Sequence, residues 1–189
     1  IARMLDQDPE AEIDQAWFET RITRALALRG QLYDQPYYRL IHAEADGLPG
    51  VIIDRFGDTA VVQPNSAWAD VLLPELSAAL AEVTGVTTIL KNAGGRGRSL
   101  EGLDDVDAVL LGDAPNAPVS VHMNGATYMA DLMGGQKTGI FFDQRPNQAF
   151  AAGLAQNARV LDVFSQVGGF GLAALAGGAV SAQCAEGSE

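Results

Sequence analysis

The sequence predicts an α/β chain in two parts, an α+β domain followed by the opening of a parallel sheet flanked by helices. Three observations carry this expectation. The β-rich runs "YYRLIHA", "VIIDRF" and "TAVVQ" follow one another between residues 37 and 63, separated by glycine-bearing breaks, as in a meander. "PVSVHMNGATYMADL" sets Asn124-Gly125 between two alternating runs, the pair favoured in a type I′ hairpin turn. Near the end, "RVLDVF", "GFGLAALAG" and "AVSAQCA" read strand, helix, strand at the spacing of a βαβ unit.

The elements follow in order. Asp14 caps a first helix, whose inner face carries Phe18, Ile22, Ala25, Leu26 and Arg29 before Gly30 stops it. The meander comes next. A helix over about 66–83 contains Pro74, which either kinks it or marks a second start, because a mid-helix proline removes a hydrogen bond. "VTTILK" is a strand, and "NAGGRGRSLEG" after it reads as a flexible loop. After the hairpin, "GGQKTGIFFDQRPNQAFAAGLAQNA" gives a turn, a short strand and a helix beginning near Pro146. "RVLDVF" and "AVSAQCA" are then two buried strands around the last helix. Composition shifts near residues 30 and 135 set the expected parts at 1–30, 31–135 and 136–189.

With 189 residues and 48% hydrophobic content, the chain is long enough to bury a sizeable core. No apolar run approaches the roughly 18 residues that span a bilayer. The start, "IARMLDQDPE", has neither a basic region nor a long apolar one. One cysteine, Cys184, is incompatible with an internal disulfide framework and fits a reducing cytoplasm. Twelve basic against 24 acidic residues give a net charge of −12, which argues against a nucleic-acid surface spread over the whole chain. Lys91, Arg96 and Arg98 form the one local basic cluster outside the first helix. They either touch phosphate or ride on a solvated loop, and the second reading is favoured. His42 and His122 lie far apart in strand patterns, so no metal-ligand spacing exists. Because it starts at Ile1 and stops at Glu189, the chain is expected to be a piece of something longer.

The chemistry concentrates in "RVLDVFSQVGGFGLAAL". Ligands of open α/β sheets sit beyond the carboxyl ends of the strands. Gly168 and Gly169 let the backbone turn tightly there, and the following helix offers free N–H groups. A dinucleotide fingerprint would need GxGxxG, which is missing, and Asp162 is poor company for a pyrophosphate. Asp162 suits an ammonium group instead, and Glu186, after the second strand, suits ribose hydroxyls. That combination favours S-adenosylmethionine over NAD. The competing reading is a bend that only packs strand on helix, with acids solvated at the strand ends.

"GQKTGIFFDQR" (Gly135 to Arg145) together with "LDVFSQVGGFGLAALAGGA" resembles the class I S-adenosylmethionine-dependent methyltransferases of the RlmI type, which form 5-methylcytosine in large-subunit ribosomal RNA. "YYRLIHAEADGLPGVIIDRFGDTAVVQ" and "VHMNGATYMADLMGGQKTG" resemble the same family, and matching segments run from about Ile13 to the end. The resemblance implies a central α+β domain followed by the start of a Rossmann-like methyltransferase sheet. Residues 1–30 would then be the tail of an N-terminal PUA-like RNA-binding module plus a linker helix. By this resemblance Asp162, Phe164, Gly168 and Gly169 match the first cofactor motif, and Glu186 matches the acid after the second strand. "AEGSE" stands where the family shows Asp in "VDxS", and Gln166 stands where it commonly has tyrosine. Lys137, Asp143, Gln144 and Arg145 match the string before the motif, which implies that they border the cofactor. Arg145's planar fork suits the methionine carboxylate, the alternative being an internal ion pair.

Forming 5-methylcytosine requires a thiolate that attacks the ring. Cys184, inside "AVSAQCA", is expected to be a small buried thiol instead, and the family's nucleophile is expected downstream. No catalytic residue and no metal ligand is named in this chain. The implied partner is large-subunit ribosomal RNA in the cytoplasm, with no membrane and no metal, and a homodimer stays compatible with the sequence. Rival readings are an RNA methyltransferase acting on another base atom, such as a guanine nitrogen, and a non-catalytic RNA-binding or assembly module. A nucleotide-dependent oxidoreductase is disfavoured by the missing GxGxxG and by Asp162.

Overall fold

The computed structural model describes residues 2–134 and 139–187. Packing divides the chain into two compact units, 1–115 and 116–189. This division differs from the compositional boundaries near 30 and 135. The first helix shares a core with the meander, and the hairpin groups with the βαβ unit.

In the first unit, α1 (Gln15–Leu32) starts where Asp14 accepts the Trp17 N–H at 2.9 Å. It buries Trp17, Phe18, Ile22 and Ala25. Gly30 does not stop it: the helix runs two residues further, and Tyr33 closes it by donating its N–H to the Arg29 carbonyl. The expected meander is present as β1 (Tyr37–His42), β2 (Val51–Phe56) and β3 (Thr59–Pro64), all antiparallel. Of the two readings of Pro74, the second start holds. α2 (Ala67–Val71) ends at Leu72, and Pro74 sits in the first turn of α3 (Leu73–Thr84), where its missing N–H costs nothing. β4 (Thr88–Lys91) pairs parallel to β3, and β5 (Ala108–Leu111) pairs antiparallel to β4, completing a sheet of order β1-β2-β3-β4-β5. The sheet packs its core against α1 and α3 through Phe18, Ile22, Leu40, Ile53, Leu76 and Ile89.

The segment expected to be a flexible loop is ordered by its own cation. It holds α4 (Arg96–Leu100), in which Arg98 is fully buried. Arg98 Nη1 donates to the Pro64 carbonyl at 2.6 Å and to Asp70 Oδ1 at 2.7 Å. Its Nε donates to the Asp104 carbonyl at 2.8 Å and its Nη2 to Asp104 Oδ1 at 3.2 Å. Lys91 Nζ pairs with Asp104 at 3.3 Å and Asp70 at 3.5 Å. Two of the three cations considered for phosphate are thus spent inside the protein, because a buried guanidinium must have its donors satisfied.

In the second unit, β6 (Val119–Met123) and β7 (Ala126–Ala130) form the expected hairpin. Asn124 (φ 52°) and Gly125 (φ 74°) are both left-handed, as a type I′ turn demands. The short strand expected before the next helix is absent among the described residues, where a 3-10 turn at Phe142–Gln144 runs into α5 (Arg145–Leu154). β8 (Arg159–Val163), α6 (Gly169–Ala176) and β9 (Ser181–Ala185) make the βαβ unit, with β8 and β9 parallel and Asp162 level with Cys184.

The burial of these strands differs from expectation. Asp162 on β8, with Ala182 and Cys184 on β9, faces α6, whereas Leu161 and Val163 point the other way and are 64% and 52% exposed. Their apolar run is of the kind found in sheets covered on both faces. Cys184 is likewise exposed rather than buried.

Candidate functional site

Beyond β8 the chain makes a bend with an unusual backbone. Phe164 (φ 60°), Gln166 (φ 50°) and Gly168 (φ 75°) are all left-handed, though only one is glycine. Such a conformation costs an ordinary residue roughly 1–3 kcal/mol and persists only where surroundings enforce it. Here hydrogen bonds do so. The N–H groups of Phe164 and Ser165 donate to the Ala185 carbonyl, and Gly168 N–H donates to the Ser165 carbonyl at 2.7 Å. Gln166 N–H donates to Glu186 Oε2 at 2.6 Å. The bend is therefore tied to the ends of both parallel strands, and the Phe164 side chain stands 84% exposed on it.

Asp162 is only 7% exposed. Its Oδ2 accepts the Gly171 N–H at 2.9 Å, so this strand residue satisfies one of the free donors at the start of α6 and sets a negative charge at the positive end of the helix. Oδ1 has no hydrogen-bond partner among the described residues. Glu186 is fixed at both oxygens, Oε2 by Gln166 N–H and Oε1 by its neighbour Gly187 N–H at 2.8 Å. The two acids thus stand at the carboxyl ends of adjacent parallel strands, the place where open sheets bind ligands.

Each glycine has its own reason. Gly168 supplies the left-handed turn. A Cβ on Gly169 would lie 2.4 Å from Gln148 Nε2, and one on Gly171 would lie 2.7 Å from Cys184 Sγ. Close packing of α6 on α5 and on β9 therefore fixes both. Gly171 was not named from the sequence, although it is the third glycine of "GGFG", the position that serves helix–strand contact.

Of the string before the motif, Lys137 lies outside the described residues. Ile140 and Phe142 are buried anchors, whereas Asp143 is exposed and accepts from Gln144 Nε2 at 3.2 Å. Gln144 Oε1 accepts in turn from Asn147 Nδ2 at 3.1 Å. Arg145 opens α5, and its carbonyl accepts from Asn124 Nδ2 at 2.9 Å. Two further residues escaped the sequence reading. Tyr128, fully buried on β7, donates its hydroxyl to the Gly169 carbonyl at 3.2 Å. Burial raises its phenol above the ordinary 10.0, while the Arg145 charge opposes the rise. Gln148, one turn after Arg145, is buried against Gly169. The only available signal was a polar residue in the inward stripe that α5 shares with Ala152.

The structure therefore gathers Asp162, Gly168, Gly169 and Glu186 at one bend, turns Phe164 outward, and sets Asp143, Gln144 and Arg145 at the start of the helix packed on α6. Acceptors, a tight backbone and a helix start suit a small zwitterionic or hydroxylated ligand better than a pyrophosphate.

A family profile described as S-adenosylmethionine-dependent methyltransferase matches residues 74–186. Proteins named ribosomal RNA large subunit methyltransferase I are 39% identical over 94% of the chain in Aliivibrio fischeri and 37% over 94% in Pseudoalteromonas translucida. The Shewanella amazonensis protein of that name is 39% identical over 92%. The chain spans about half the length of these relatives, 46%, 46% and 45%. Two solved structures share the fold. A Streptococcus mutans protein described as a candidate SAM-dependent methyltransferase has TM-score 0.79 at 24% identity, covering 95% of this chain and 47% of its own. SMU.776, a candidate methyltransferase complexed with SAH, has TM-score 0.80 at 23% identity, covering 95% and 46%. With the profile matched from α3 to Glu186, across the glycine bend and both acids, the chain belongs to the S-adenosylmethionine-dependent methyltransferase family.

Proposed function

We propose that this chain contributes the first part of the cofactor site of an enzyme that methylates a cytosine of large-subunit ribosomal RNA at carbon 5. The observation that supports a ribosomal RNA methyltransferase is 37–39% identity, over 92–94% of the chain, to proteins named ribosomal RNA large subunit methyltransferase I, and the cytosine assignment rests on the sequence resemblance.

The residues present fit S-adenosylmethionine. The unpartnered Asp162 Oδ1 suits the ammonium of the methionine end. Glu186, held by two backbone N–H groups at the end of β9, is assigned to the ribose hydroxyls. The bend at Gly168 and Gly169 brings the backbone close, Arg145 suits the carboxylate, and Phe164 offers an exposed ring beside the bend. Lys137, Asp143 and Gln144 belong to the proposed border of the site. When bound, the cofactor supplies an electrophilic methyl group on a sulfonium sulfur. The chain's own residues orient it and offset its positive charge.

Cys184 is not assigned the attack on cytosine. Its Sγ lies in contact with Gly171 beneath α6, a packing role, and the reading assigns the nucleophile to a part of the protein outside these residues. RNA contact is assigned to a PUA-like module, the first unit to the central α+β domain and the second unit to the start of the Rossmann-like sheet. No helix of the described residues is long and apolar enough to cross a membrane, and the cytoplasm is the proposed compartment. Incubating the full-length protein with labelled S-adenosylmethionine and large-subunit RNA, then analysing nucleosides, should yield labelled 5-methylcytidine. Label in a guanosine would remove the cytosine assignment, and unlabelled RNA would remove the enzymatic reading.

A further inference from the structure

We propose that the groove between α3 and the outer edge of β5 docks an extended, basic segment of another protein as an added strand. The groove lies wholly in the first unit and is independent of the cofactor reading. β5 ends the sheet, so one edge pairs with β4 and no described strand pairs with the other. A strand so placed points about half of its backbone N–H and C=O groups outward, a template for one more strand. Natural edges are commonly blunted by a lysine, a proline or an inward charge. β5 reads "AVLL" and carries none of these, with Val109 and Leu111 43% and 40% exposed.

Beside that edge α3 leaves room. Pro74, Ser77, Ala78 and Ala81 recur at helical spacing along its flank and, with Leu110 and Leu111, wall a groove of about 700 Å³. Strand addition supplies affinity through the backbone, and the groove receives alternate side chains. Charge selects the occupant. Asp105, Asp107 and Asp113 flank β5 in sequence and are exposed. Lys91 on the groove wall and the neighbouring Arg98 are already paired with Asp70 and Asp104. The balance around β5 is therefore negative. It repels RNA phosphate and a second copy of a chain of net charge −12, and it attracts lysine and arginine. A strand of alternating basic and small apolar residues satisfies both the acids and the groove.

The test titrates the full-length protein with a capped peptide of alternating lysine and valine and follows backbone amide resonances. Those of Ser77, Ala78 and Ala108–Leu111 should shift saturably, and affinity should fall as salt rises. The same peptide N-methylated at alternate residues keeps its charge but cannot pair along one edge, and should bind about tenfold more weakly. A glutamate–valine peptide should lose at least as much. Ala78→Arg sets a like charge and a long side chain in the groove, and should cost about tenfold in affinity with unchanged melting, since Ala78 is exposed. If that variant does not fold, the N-methylated peptide on the unaltered protein decides. Absence of shifts, or equal binding of the plain, N-methylated and glutamate peptides, would overturn the inference. Shifts at these residues on raising protein concentration alone would give the groove to a second copy. Shifts with an RNA oligonucleotide and none with the peptide would give it to nucleic acid, and either result overturns the proposal.

Discussion

At the residue scale, the proposed site divides into positions assigned to a ligand and positions that let helix and strand meet. Gly171 belongs to the second kind. Gly171→Ala drives a methyl group onto Cys184 Sγ, so thermal melts should show a loss of roughly 1–3 kcal/mol. Adding Cys184→Ala should restore much of it, and equal melting of the single and double variants would refute the contact. Asp162 does both jobs. Asp162→Asn keeps an oxygen for the Gly171 N–H but loses the charge, so S-adenosylhomocysteine affinity should fall about 10–100-fold with little change in melting. Asp162→Ala should additionally cost about 1 kcal/mol of stability, as a lost helix cap does. Calorimetry paired with melting separates these effects. That Asp162, Gly168, Gly169 and Glu186 gather at one bend was legible in the sequence, because strand, glycines and acids follow one another in order. Gln148 and Tyr128 were not, because their importance comes from which backbone they press against, and that is set by packing of α5 and β7 on α6.

At the element scale, legibility followed hydrogen-bonding pattern and length. α1, the three-stranded meander and the hairpin were readable because capping, alternation and an Asn-Gly turn are local signals. β5 went unread, since its four residues lie between acid-rich stretches and are held by pairing with the distant β4 and by packing of Leu110 on the core. α4 was hidden by the glycines around it, and a single buried side chain orders it. Arg98→Ala should therefore destabilise the first unit by about 3–5 kcal/mol, because Asp70 and the Pro64 and Asp104 carbonyls lose their partner. The exposed Arg96→Ala should stay within about 0.5 kcal/mol. Urea unfolding of the two variants checks this, and similar losses in both would show that the guanidinium network does not hold the segment.

At the scale of the whole molecule, the acidic balance has a direct consequence for stability. In the first unit, the Asp8 N–H, Trp17 and Arg21 hold Asp6 well below its usual range, Arg3 and the Ala67 N–H lower Glu101, and the Val106 N–H and Lys91 lower Asp104. Each binds its proton less readily folded than unfolded. Their contribution is present above the ordinary values of 3.8 and 4.5 and is lost as pH falls through the lowered folded ones. Melting temperature of the first unit should accordingly drop between about pH 5 and about pH 2, and a flat profile would show that these contacts do not persist in solution. The second unit carries the residues proposed for the cofactor, and its fold class was readable because a βαβ unit declares itself in sequence order. Its strand burial was not, since exposure depends on what covers the second face. A titration of the ¹⁵N-glycine-labelled full-length protein with S-adenosylhomocysteine tests the cofactor site most directly. Gly168, Gly169, Gly171 and Gly187 should show the largest shifts. Saturable binding that leaves those four resonances in place and moves glycines of the first unit would contradict it.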